Sequence, residues 1–96
     1  MDWFSILGSL LTGGIVGLLL GFIIDVCTVE DTVRDEVRSH SRFKDAFKAM
    51  IKSKTTRSVN VGIFGNNDNH LGDIELESDK GVAADVKVGH VFYLNN

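Results

Sequence analysis

Hydrophobic residues are concentrated in one long uncharged segment near the start of the chain. Residues 3–24, WFSILGSLLTGGIVGLLLGFII, contain neither a charge nor a proline. As an α-helix this segment is about 33 Å long, which matches a bilayer hydrocarbon core of about 30 Å. A chain of 96 residues has little room to bury a helix that is apolar all round. The pattern therefore predicts a transmembrane helix over residues 1–25.

Small residues recur at every fourth position of this segment, so on a helix they share one face. They are Ser5, Ser9, Gly13, Gly17 and Gly21. Each glycine lowers the stability of a helix by roughly 1 kcal/mol relative to alanine. A regular series of glycines is therefore expected to have a structural role. In membranes such a glycine zipper lets two helices approach closely. We therefore expect these residues to form the helix-packing interface of a homo-oligomer.

A second hydrophobic pattern has helical spacing and follows a helix-start signal at Thr28. The amphipathic stripe consists of Val33, Val37, Phe43, Phe47 and Ile51. We predict an amphipathic helix over residues 26–55 and leave three partners open for it. These are the C-terminal strands, a helical bundle of neighbouring copies, and a surface of anionic lipid. The bases that would contact such a lipid surface are Arg42, Lys44, Lys48 and Lys52.

The remaining residues, 56–96, alternate between apolar and polar positions in short runs separated by turn signals. The runs cover residues 58–64, 73–78, 82–88 and 91–94. Strict alternation is typical of strands with one dry and one wet face. The segment therefore predicts a small antiparallel β-meander of about four short strands. Together the three segments predict an α+β membrane protein.

Charge is strongly segregated within a net charge of −3. Residues 28–57 carry eight bases and five acids, whereas residues 58–96 carry two bases and six acids. The bases that follow the apolar segment predict a single-pass protein with its N-terminus outside and its C-terminal region in the cytoplasm. Asp25 would then lie at the inner mouth of the packed helices, as a boundary marker or as one carboxylate of a ring.

The sequence offers no arrangement that points to catalysis. It contains no nucleophile–base pair, no phosphate-binding loop and no carboxylate dyad, and it has one cysteine. We therefore expect no enzyme, no catalytic residue, no cofactor and no metal site. The expected partners are the lipid bilayer and further copies of the chain. Nucleic acid is not expected because the chain is not uniformly basic: its net charge is −3 and residues 58–96 are acidic.

The function that these patterns favour is that of a structural or scaffold protein. It would oligomerise through its glycine-rich helix and present the second helix and the β-rich domain for assembly or docking. Two alternatives remain open. One is a subunit that forms a pore or permeabilises a membrane, and the other is a filament subunit with the apolar helix at its core.

Overall fold

The computed structural model of the chain describes residues 15–94, which form one β-sheet and one α-helix. In chain order the elements are β1 Ile15–Leu20, α1 Val26–Ser39, a 3₁₀ turn Ser41–Phe43, β2 Ala46–Lys54, β3 Ser58–Gly65, β4 His70–Ser78 and β5 Val91–Tyr93.

The five strands lie in the order β1-β4-β3-β2-β5. Strands β2, β3 and β4 are consecutive antiparallel neighbours, and β5 joins antiparallel to the outer side of β2. Strand β1 pairs with β4 in parallel, with Ile15 opposite Asp73 and Leu20 opposite Ser78. The sheet therefore begins and ends with strands that are distant in sequence.

One face of the sheet, the core face, carries the hydrophobic core because apolar residues alternate along the central strands. Val59, Val61 and Ile63 of β3 are fully buried beside Ile74 and Leu76 of β4. Helix α1 contributes its buried residues to the same cluster, together with residues from β2 and β5, and these are Val29, Val33, Ala49, Ile51 and Phe92. The opposite face, which we call the open face, carries most of the charged residues of the strands.

The prediction of a transmembrane helix over residues 1–25 is wrong. Residues 1–14 lie outside the described part of the chain, but Ile15–Leu20 is a strand. Among residues 15–94 no helix has both the length and the apolar character needed to cross a membrane. A short apolar run does not by itself distinguish a helix from a strand. Here the run pairs with β4. The predicted single-pass membrane location, which depended on the helix, is therefore not supported.

The second predicted helix is present but shorter than expected. It ends at Ser39, and residues 46–54 form strand β2. Apolar residues from Phe47 onwards fit two periods, because Ala49 and Ile51 continue from Phe47 at a spacing of two. Pairing with β3 on one side and β5 on the other selects the strand, since both partners supply backbone hydrogen bonds to it.

The helix begins at Val26, where the predicted segment begins, but its N-cap is not the predicted residue. Asp25, not Thr28, is the N-cap, and its Oδ1 accepts a hydrogen bond from the Thr28 backbone N–H at 2.8 Å. This hydrogen bond from Thr28 is the main reason that the pKa of Asp25 is lowered from 3.8. Asp25 is therefore engaged at a helix terminus.

The meander-like sheet is confirmed, with one difference. Strands β3, β4 and β5 lie where the alternation predicted them, but residues 82–88 form no strand. Only Val82 makes a bridge, to Ile24, and the following residues form turns. Val86 is nevertheless fully buried, so this segment covers the core without joining the sheet. Strands from all three predicted segments share the one sheet.

Candidate functional site

The feature that distinguishes this sheet is the character of its β1 edge. Ile15–Leu20, with the sequence IVGLLL, has no charge and no proline, and its pairing with β4 runs through all six residues without a bulge. Exposed edge strands are usually protected by charges, prolines, bulges or short length, because their free backbone groups pair readily with other strands. Among residues 15–94, β1 is paired only with β4, and the strand itself has none of these protections.

Side chains of β1 divide between the two faces of the sheet. Val16, Leu18 and Leu20 lie on the core face and are partly buried against the core. Gly17 and Leu19 lie on the open face, where they are opposite Glu75 and Glu77 of β4. Because Leu19 is 65% exposed, a large apolar side chain stands beside the outer edge of β1.

The opposite edge of the sheet is built differently. Strand β5 has three residues, and the Tyr93 carbonyl oxygen accepts a hydrogen bond from Arg34 Nε at 3.1 Å. The Arg34 guanidinium also lies 5.6 Å from the centre of the Phe92 ring. Short length and a nearby cation are both features that discourage strand addition. The two edges therefore differ in their capacity to accept a partner.

The segment that follows β1 is held firmly although it displays apolar residues. Phe22 is 54% exposed and Ile23 is 56% exposed. The Phe22 carbonyl oxygen accepts a hydrogen bond from Ser78 Oγ at 2.7 Å. Ile24 donates its N–H to the Gly81 carbonyl, and its own carbonyl accepts from Ala83. The apolar surface beside the edge is thus fixed in place.

A depression of about 300 Å³ lies next to Leu19 on the open face. It is bordered by Glu77 of β4 and by residues of the β2–β3 turn, among them Thr55 and Arg57. Burial raises the pKa of Glu77, and the neighbouring Glu75 carboxylate raises it further. Acidic residues therefore stand one strand away from the outer edge of β1.

Farther along the open face, opposite charges meet across β3. Lys52 Nζ lies 3.1 Å from Asp73 Oδ2, and His70 Nε2 lies 2.7 Å from Asp73 Oδ1. The Lys52 side chain passes over Gly62 on the way, since a Cβ on Gly62 would lie 2.7 Å from Lys52 Cδ. Lys52 and Asp73 therefore meet over a backbone position that carries no side chain.

The residues predicted from sequence as an interface are spread over several elements. Gly17 lies in β1 and Gly21 in the bend after it, whereas Ser5, Ser9 and Gly13 lie outside the described residues. Of the amphipathic stripe, Val33 and Val37 lie on α1, Phe43 in the 3₁₀ turn, and Phe47 and Ile51 on β2. Val33, Phe43 and Ile51 still meet in one core.

The four bases proposed for lipid contact do not share one element. Arg42 and Lys44 lie at the 3₁₀ turn, while Lys48 and Lys52 lie on the open face of β2. There Lys48 pairs with Asp68 and Lys52 pairs with Asp73. Two of the four charges are therefore partly compensated within the protein.

The β1 edge was not predicted, although the sequence contains a signal for a strand at this position. Gly14 and Gly21 bracket residues 15–20, which have the length of a strand and begin with two β-branched residues, Ile15 and Val16. Within the long apolar segment this bracket was hidden by the four-residue spacing of the glycines.

Among residues 15–94 no group of three histidine, cysteine, aspartate or glutamate side chains is placed to hold a metal ion. Comparisons with protein-family models, with curated proteins and with solved structures found no match for this chain.

Proposed function

We propose that this protein is an assembly module whose β1 edge accepts an extended, uncharged apolar segment as an additional strand. The observation that carries this proposal is the uncharged six-residue strand at the end of the sheet, which pairs with β4 on one side. Strand addition of this kind obtains its affinity from backbone hydrogen bonds and its specificity from the side chains that alternate along the edge.

Apolar contacts beside the edge add to the backbone pairing. Leu19, Phe22 and Ile23 are each more than half exposed, and covering each would contribute about 1 kcal/mol. Each backbone hydrogen bond contributes about 1 kcal/mol net, while association itself costs at least about 4 kcal/mol. These magnitudes favour a moderate affinity, in roughly the micromolar range.

The composition of the edge also defines the partner. A charged residue in the incoming strand would lie next to an apolar side chain of β1 and lose hydration without gaining a counter-ion. On the open face, Glu75 and Glu77 of β4 would repel an acidic segment. The expected partner is therefore apolar, extended and free of acids.

Binding of a synthetic peptide tests this proposal. The peptide carries the sequence of residues 15–20 with lysines at both ends for solubility and a fluorescent label. We expect saturable binding by fluorescence anisotropy, with amide shifts confined to β1 and the segment after it. A control peptide with every backbone nitrogen methylated keeps the side chains but cannot donate hydrogen bonds, so it should not bind.

Equal binding of the two peptides would contradict strand addition, because contact would then be purely apolar. Amide shifts centred on β5 would contradict the choice of edge. If neither peptide binds, the proposed function itself is refuted.

A further inference from the structure

The sequence of β1 is suited to pairing with β1 of a second copy of the chain. An antiparallel pair of β1 strands brings no two charges together, because none of the six residues is charged. We propose that the strand which docks on β1 is β1 of a second copy, so that two sheets join edge to edge about a two-fold axis. This inference rests on the proposed strand addition and names its partner.

The faces of the sheet restrict the register of such a dimer. A two-fold axis perpendicular to the sheet keeps core face beside core face, so opposite residues must both be even-numbered or both be odd-numbered. The axis then passes through a pair of identical residues. Centres at Leu18 and Gly17 oppose five of the six residues of β1, whereas centres at Val16, Leu19 or Leu20 keep the faces matched but oppose at most three.

Side-chain size selects between these two registers. With the axis at Leu18, each exposed Leu19 lies opposite Gly17 of the other copy, which has no side chain to obstruct it. Val16 then lies opposite Leu20 on the core face, where both are already partly buried. With the axis at Gly17, two glycines face each other and leave a gap. The geometry points to the register centred on Leu18.

Electrostatic repulsion between the copies is weak in this arrangement. Each chain has a net charge of −3, and the acids nearest the edge are Glu75 and Glu77 on β4. Across the joined edge, β4 of one copy is three strand spacings, about 14 Å, from β4 of the other. At physiological ionic strength charges are screened over about 8 Å, so the two β4 strands interact little.

The dimer that results is a continuous ten-stranded sheet, twice the five strands of one copy. Both α1 helices lie on its core side, and both open faces form one surface on the other side. A junction in which five residues of each β1 strand are paired buries less surface than a standard stable interface, so dissociation in roughly the micromolar range is expected.

Sedimentation of the full chain over a range of concentrations tests the dimer. The expected result is a reversible monomer–dimer equilibrium that Leu19→Glu weakens by at least about tenfold, since the new carboxylate lies beside Glu77 and opposite the partner strand. Leu19 is 65% exposed, so this variant should fold. Val91→Glu is the matched control, because Val91 is an exposed aliphatic residue on the open face of the other edge strand.

Disulfide cross-linking tests the register. In a background with the free Cys27 replaced by serine, Leu18→Cys places two thiols on the axis, with Cα atoms about 5 Å apart. Val16→Cys, on the same face, places its thiols about 14 Å apart along the strands. We expect rapid cross-linking for Leu18→Cys and none for Val16→Cys, with folding of both verified by circular dichroism.

The outcomes separate this inference from the proposed function. A chain that binds the β1 peptide but stays monomeric overturns the second copy and leaves strand addition standing. A dimer that tolerates Leu19→Glu as well as Val91→Glu uses another surface, which also overturns the inference. A chain that dimerises only after residues 1–14 are removed shows that this segment, and not a second copy, occupies the edge.

Discussion

The hydroxyl of Ser78 connects the end of β4 to the segment that follows β1. Ser78 is 2% exposed, and its Oγ donates to the Phe22 carbonyl at 2.7 Å and accepts from the Lys80 backbone N–H at 3.0 Å. Ser78→Ala removes both hydrogen bonds while changing the volume of the side chain little. The backbone bond from Ser78 N–H to the Arg57 carbonyl does not depend on the hydroxyl.

The size of the effect follows from these two hydrogen bonds. Each contributes about 1 kcal/mol, and a partner left unsatisfied away from water adds to the loss. The Phe22 carbonyl and the Lys80 N–H both lose a partner in a part-buried setting. We therefore expect Ser78→Ala to lower the free energy of unfolding by about 1–2 kcal/mol. For a domain of this size, each 1 kcal/mol corresponds to about 4–8 °C in melting temperature.

Urea denaturation followed by circular dichroism measures this loss, and Ser53→Ala on the exposed part of β2 is the control. The control should change the free energy of unfolding by less than about 0.5 kcal/mol. Hydrogen exchange at Ile24 should also accelerate in Ser78→Ala, because the segment after β1 loses an anchor. If Ser78→Ala lowers the free energy of unfolding no more than Ser53→Ala does, the hydroxyl does not hold this segment.

Three further changes test the helix cap, the acidic strand and the open face. Asp25→Ala should lower the melting temperature at neutral pH, and its difference from wild type should shrink below pH 3.8, because a lowered pKa stabilises the fold only while the carboxylate is ionised. A pH-independent difference would contradict the cap. Glu77→Gln should raise the urea midpoint at neutral pH, because the raised pKa means that ionised Glu77 opposes folding, and the gain should vanish below pH 4.5. A loss of stability at neutral pH would contradict this sign. Gly62→Ala should destabilise wild type by about 1 kcal/mol and Lys52→Ala by less, because the new Cβ would lie 2.7 Å from Lys52 Cδ and 2.9 Å from Phe64 Cε1, and only the Phe64 contact remains once Lys52 is truncated. Equal effects in both backgrounds, measured by urea denaturation, would show that Lys52 is not the obstacle.

Local sequence patterns predicted an element correctly where one of its faces is buried and the other is exposed to solvent. The alternation in β3 and β4 predicted both strands, because period-two patterns survive in any sheet that buries one face. The start of α1 was predicted to within a few residues from polar residues that satisfy free backbone N–H groups. Its end was not, because Phe47, Ala49 and Ile51 fit both a helical stripe and a strand.

These local patterns could not predict the candidate site at the β1 edge. A strand becomes an edge only through its place in the sheet, and the place of β1 depends on parallel pairing with β4, more than fifty residues away in sequence. The glycines of the apolar segment suggested close helix packing. In the structure, Gly17 instead lies on the open face of a strand, opposite Glu75.

The sequence alone determined where hydrophobic and polar faces alternate, and therefore the strands β3 and β4, the turns between them and the presence of one amphipathic helix. Tertiary structure decided the conformation of residues 15–20 and 46–54, the strand order and the exposed edge. The physical reason is that a short apolar run gains similar burial as a helix or as a strand. Only the partner that supplies its backbone hydrogen bonds, here β4 for β1 and β3 with β5 for β2, selects between the two.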